Sequence, residues 1–145
     1  MLLTILPLTV GGLSGYLAKA ADRTTYNQLI KPSFNPPSWI FGPVWIVLYL
    51  VMGISAEMVK SDPKALQIFF IQLALNFAWS LIFFNLQRRD LAFLVIILLL
   101  ISIVYMLKVF SNTSPLAAKL QIPYLLWVSF ATILNISIWW LNDRY

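Results

Sequence analysis

The sequence predicts an all-α integral membrane protein, a bundle of five transmembrane helices forming one domain over residues 1–145. Two observations carry that fold class. The chain is 61% hydrophobic and only 10% charged, whereas a soluble domain carries roughly 25% charged residues. That leaves too few charges to coat a water-facing surface. The charges that exist also gather between five charge-free stretches, Met1–Ala18, Pro32–Ala56, Ala65–Gln87, Leu91–Leu107 and Leu120–Asn142. Each is close to the ~20 apolar residues an α-helix needs to cross the hydrocarbon core.

The first helix is predicted over about residues 2–20. Gly11 and Gly15 stand four apart there, a spacing that lets another helix backbone come close. Ala18-Lys19-Ala20 has the small-x-small form of a signal-peptide cleavage site. The segment lacks a basic leader and its apolar run is long, so it reads as a retained helix. The polar stretch that follows, about residues 21–38, holds Pro32, Pro36 and Pro37, which restrict the backbone to extended or turn geometry. A connection of this length in so small a membrane protein reads as functional.

The second helix is predicted over about 39–59, with Pro43 near its first turn, where a missing N–H costs little. "KSDPK" makes the next turn and the third helix covers about 65–86. "QRRD" leads into the fourth, about 91–110, which is almost wholly aliphatic and faces lipid over much of its surface. "SNTSP" opens the fifth, about 116–141, where Pro123 removes one backbone bond and should bend the helix. Lys19, Arg23, Lys31, Arg88, Arg89 and Arg144 fall on one side of the membrane, and Lys60, Lys64, Lys108 and Lys119 on the other. Six against four favours a C-terminus inside.

The net charge of +5 is no nucleic-acid signal, because the basic residues sit singly or in pairs at helix ends, where cations meet headgroups. Cysteine and histidine are both missing from the sequence. No thiolate, imidazole base or proximal haem ligand is available, and no metal site is expected.

Polar residues inside the helices are the informative ones, since an unsatisfied polar group in hydrocarbon costs several kcal/mol. Gln72, Asn76 and Ser80 repeat every fourth residue and share one face of the third helix, bordered by Trp79 and Phe83. Trp127, Ala131 and Leu134 form a stripe on the fifth helix, with Asn135 beside it. Phe41, Trp45, Tyr49 and Met52 form another on the second. One reading makes the amides interhelical ties and the tryptophans members of interfacial belts, which suits Trp39, Trp139 and Trp140 near helix ends. Trp45, Trp79 and Trp127 lie deeper. Three indoles from three helices, with Asn76 and the small Ala131, can line a pocket for a flat apolar ligand, with one amide fixing a polar substituent.

"KPSFNPPSWIFGPVWIVLYLVMG" (Lys31–Gly53), "LALNFAWSLIFF" (Leu73–Phe84) and "PYLLWVSFATILN" (Pro123–Asn135) closely resemble three signatures of the tryptophan-rich sensory protein family, also called translocator protein or peripheral benzodiazepine receptor. They occur in the family's order and spacing, over nearly the whole chain. The resemblance implies a five-helix bundle, usually dimeric, that binds tetrapyrroles such as protoporphyrin IX, sterols in some members, and synthetic benzodiazepine-type ligands. It requires no cofactor. It places the ligand among Phe41, Trp45, Tyr49, Asn76, Trp79, Trp127, Ala131 and Leu134, beneath a lid containing Phe34, Pro36, Pro37 and Trp39. Small Ala74 and Ala78 on the third helix become the seam between two copies.

This chain departs from the family pattern in places. Phe34 and Leu91 stand where many members have tryptophan, and Ile136 and Trp140 break the sterol motif of animal members. These features and the short termini point to a prokaryotic, multi-pass cell-membrane protein. The resemblance implies a receptor or carrier for flat apolar molecules, with a sensing or transport role and membrane lipids as its other partners. Two alternatives stand beside it. One is light-dependent oxidative degradation of bound porphyrin, with Trp45 and Trp127 as the adjacent indoles. The other is a small secondary transporter coupled through Glu57, although that residue reads better as a headgroup-level carboxylate.

Overall fold

The computed structural model describes residues 2–20, 38–86 and 88–143, and these are helical apart from short turns. Helix α1 is Leu2–Ala20 and α2 is Ser38–Met58. Helix α3, Pro63–Ser80, runs on into a π-helical turn, Leu81–Asn85. Helix α4 is Arg89–Thr113. The fifth rod is broken into α5, Pro115–Leu120, and α6, Ile122–Asp143.

Among the described residues, three segments are long and apolar enough to cross a membrane: Pro63–Phe83, Asp90–Thr113 and Pro115–Leu141. α1 and α2 are apolar over Leu3–Leu13 and Pro43–Met58. The chain is an integral membrane protein, and its described residues form five helical rods. The loop residues Phe34, Pro36 and Pro37 lie outside the described residues. So do the side chains of Trp39 and Phe41.

The turns that open α3 and α5 are written in the sequence. Asp62 caps α3, accepting from the Lys64 amide at 3.1 Å, with Pro63 just inside the helix. Ser114 caps α5, accepting from the Ala117 amide at 3.2 Å, with Pro115 in the equivalent place. The two turns are tied together, because the Thr113 hydroxyl donates to the second Asp62 oxygen at 2.7 Å. That hydroxyl is the main reason the Asp62 carboxyl is held below its ordinary range. At the opposite end, Arg88 donates twice to Asp90, at 3.0 and 3.1 Å.

Two helices differ from the sequence expectation. The third is α-helical only to Ser80, and the bonds then widen, so that the Leu86 amide reaches back five residues to Leu81 at 2.9 Å. The fifth is interrupted at Gln121, two residues before Pro123. Pro123 has no N–H for the Lys119 carbonyl, and the chain turns at Gln121 before α6 resumes.

The rods close into a ring. α1 packs chiefly on α2 and also on α3; α3 packs on α4, α4 on α6, and α2 on α5 and α6. The first contact is a close one. A β-carbon on Gly53 would lie 2.6 Å from the Thr4 Cα and 2.7 Å from two α1 carbonyl oxygens. A β-carbon on Gly11 would run into the Tyr49 ring. Further along the same contact, the Leu3 amide in the first turn of α1 donates to the Glu57 carboxylate at 3.0 Å. Glu57 therefore satisfies an open helix end from a neighbouring helix.

Gly53→Ala should force α1 off α2 and lower stability by about 1–3 kcal/mol. Gly12→Ala meets nothing within 4 Å and should be neutral or stabilising by up to about 1 kcal/mol. Thermal unfolding of both variants in detergent checks the contrast; equal midpoints would contradict the contact.

Candidate functional site: a buried aromatic and amide cluster

The interior of the ring holds polar side chains that hydrocarbon cannot satisfy, so they must satisfy one another. Ser55, Gln72, Asn76, Gln121 and Asn135 are all buried. Asn76 sits between two tyrosines. The Tyr49 hydroxyl donates to its Oδ1 at 2.8 Å, and its Nδ2 donates to the Tyr124 oxygen at 2.8 Å. Tyr124 passes the pattern on, donating to Gln72 Oε1 at 2.8 Å. Gln72 Nε2 in turn donates to the Met52 sulfur at 3.4 Å. One chain of bonds thus crosses α2, α3 and α6. Tyr124 is its hub and is 1% exposed.

A second group of ties flanks the first. Ser55 donates to the Ala117 carbonyl at 2.7 Å, holding the short α5 against α2. Gln121, in the break, donates to the Met52 carbonyl at 3.4 Å. Among the described residues its own carbonyl oxygen is buried with no hydrogen-bond partner.

The aromatic rings assemble around this chain. Trp45 stacks on Tyr49, with centroids 5.3 Å apart and planes 24° from parallel. Its edge meets Trp127 at 6.1 Å and 89°, and Tyr124 at 6.5 Å and 69°. Trp127 continues to Phe130 at 5.8 Å. Trp45 and Trp127 are half-buried, while Tyr49 is 6% exposed. Offset and edge-to-face pairs of this kind contribute ~0.5–1.5 kcal/mol each beyond the area they bury.

The structure therefore brings Trp45, Tyr49, Asn76 and Trp127 together. Ala131 and Leu134 are buried one and two turns beyond Trp127 on α6. Trp79 belongs to a neighbouring group. Its indole N–H donates to Asn135 Oδ1 at 2.8 Å and its ring lies 5.3 Å from Phe83. The small residues Ala74 and Ala78 lie toward the outside of the bundle, Ala74 exposed and Ala78 half-buried.

Sequence reasoning missed Tyr124, Gln121 and Gly53. Tyr124 carried a usable signal: it stands three residues before Trp127, on the same helix face, and a mid-membrane phenol needs a partner. Gly53 closed the quoted α2 motif without an assigned role. The cluster contains indoles, phenols, amides and a thioether. Such groups can stack on a planar molecule and hydrogen-bond its edge. Among the described residues no group of carboxylates, histidines or cysteines could hold a metal ion.

A polytopic helical membrane protein with an aromatic, amide-centred interior is the class these features define. The TspO/MBR family model matches residues 3–141. The chain is 42% identical to the tryptophan-rich protein TspO of Chlorobaculum tepidum over 81% of its own length and 78% of the relative's. It is 38% identical to the tryptophan-rich protein TspO of Archaeoglobus fulgidus, over 93% and 91%. It is also 38% identical to the human translocator protein, over 79% and 72%. The chain belongs to the TspO/MBR family.

Tyr124→Phe removes the donor to Gln72 and the acceptor for Asn76 at once. It should destabilise the protein by about 1–3 kcal/mol through the stranded amides. Thermal unfolding measures the loss; an unchanged midpoint would show that the amides find other partners.

Proposed function

We propose that this protein is a membrane receptor or carrier that binds tetrapyrroles and other flat apolar molecules between α2, α3 and α6. Trp45 and Trp127 serve as the stacking surfaces and Asn76 as the polar anchor. The observation that carries the reading is that half-buried Trp45 and Trp127 meet edge to face, and that Tyr49 and Tyr124, which pack on Trp45, both hydrogen-bond the buried Asn76. Ala131 and Leu134 supply the apolar floor, and Trp79 braces α3 against α6 through Asn135. Phe41, Trp39 at the start of α2, and Phe34, Pro36 and Pro37 ahead of it complete the proposed site and its lid. Protoporphyrin IX is the representative ligand, and no cofactor is required. Glu57, the candidate coupling group of a transporter, is engaged at the N-terminus of α1 instead.

Titration with protoporphyrin IX should quench the tryptophan fluorescence saturably. Trp127→Phe or Asn76→Ala should weaken binding about two- to tenfold, the range expected for one aromatic or hydrogen-bond contact. Affinities untouched by both changes would place the ligand elsewhere.

The protein is further proposed to work as a homodimer joined along the outer face of α3, where Ala74 is exposed and Ala78 half-buried. Two such faces can approach closely because of their small side chains. Ala78→Leu should then shift the particle from dimer to monomer in detergent, as read by light scattering. A dimer that persists unchanged would rule out this seam.

A further inference from the structure

Two of the three groups that a flat guest is proposed to use, Trp45 and Asn76, are already engaged by one side chain of the protein. The ring of Tyr49 lies on the face of Trp45 at 5.3 Å. The hydroxyl of Tyr49 occupies the carbonyl oxygen of Asn76 at 2.8 Å. The ring has this place because position 11 is glycine, where any β-carbon would collide with it.

The direction of the bond is dictated from the far end of the chain. A thioether can only accept, so Gln72 must turn its NH₂ toward Met52 at 3.4 Å. Its carbonyl then faces Tyr124, whose hydroxyl proton goes to it at 2.8 Å. The Tyr124 oxygen is left to accept from the Asn76 NH₂ at 2.8 Å. The Asn76 carbonyl consequently points at Tyr49, and whatever replaces Tyr49 there has to donate.

We infer that Tyr49 is the resident occupant of the proposed site and sets its specificity: the site takes flat rings that carry an O–H or N–H donor on their edge. The inference rests on the ligand-binding reading above and deepens it. A guest must displace the phenol from Trp45 and from Asn76 together. A guest with no donor leaves the Asn76 carbonyl buried and unpaired, which costs more than the lost bond alone. Tyr49 acts as a competitor built into the chain, whereas a simple wall residue would add to affinity.

The test uses the full chain in detergent and two variants. Tyr49→Phe keeps the ring and removes the hydroxyl that guards Asn76. It should bind protoporphyrin IX about three- to tenfold more tightly than the unsubstituted protein, the factor equivalent to one hydrogen bond. Tyr49→Ala vacates a ring-sized space. Excess 2-naphthol should raise its unfolding midpoint by about 2–4 °C, and naphthalene, of the same shape without a donor, should raise it less. Equal or weaker porphyrin binding by Tyr49→Phe makes Tyr49 an ordinary wall and overturns the inference. So does a naphthalene effect as large as that of 2-naphthol, or no effect of either. If no form of the protein binds porphyrin while 2-naphthol still rescues Tyr49→Ala, the porphyrin reading fails and the inference stands. Should Tyr49→Ala not fold, the porphyrin affinity of Tyr49→Phe decides alone.

Discussion

A primary amide placed in the middle of a membrane has four hydrogen-bonding positions and no water to fill them. Asn76 is that amide, and much of the interior is arranged around it. Its two ends engage tyrosines from different helices, and the second tyrosine hands the pattern to Gln72. Interhelical bonds in bilayers average only ~0.6 kcal/mol each, because the separated helices also find partners. Their value here is directional more than energetic. They fix how α2, α3 and α6 face one another, and they decide which atoms of Asn76 look toward the aromatic rings.

Steric permission comes from α1. Gly11 leaves room for the Tyr49 ring, and Gly53 lets the two backbones touch near Thr4. Glu57 then fastens the start of α1 by the Leu3 amide. The helix farthest in sequence from the α6 tryptophan thus governs where the α2 tyrosine can sit. The aromatic packing and the hydrogen-bond chain share that tyrosine, so neither can rearrange independently of the other.

Much of this was legible in the residues. Charge-free runs separated by capped turns gave the rods, since Asp62-Pro63 and Ser114-Pro115 are start signals whose mechanism is local. The four-residue spacing of Gln72 and Asn76 marked the polar face, and the depth of Trp45 and Trp127 marked the rings. What stayed hidden depends on partners distant in the chain. Nothing local says that Tyr124 will sit between two amides, or that Trp79 will pair with Asn135 rather than join Trp45. The π-helical turn at Leu81–Asn85 was equally invisible, because "LIFFN" has no residue that forbids an ordinary helix. The break at Gln121 was half visible: Pro123 announced an irregularity but not the residue at which the helix is interrupted.

The polar interior is made of amides, hydroxyls, indoles and a thioether, and among the described residues it includes no carboxylate or ammonium. A field does work only when charge moves through it, at about 2.3 kcal/mol per elementary charge per 100 mV. Swinging a neutral phenol away from a neutral amide moves almost none. A movement of Tyr49 away from Asn76 would therefore couple only weakly to the voltage across the membrane.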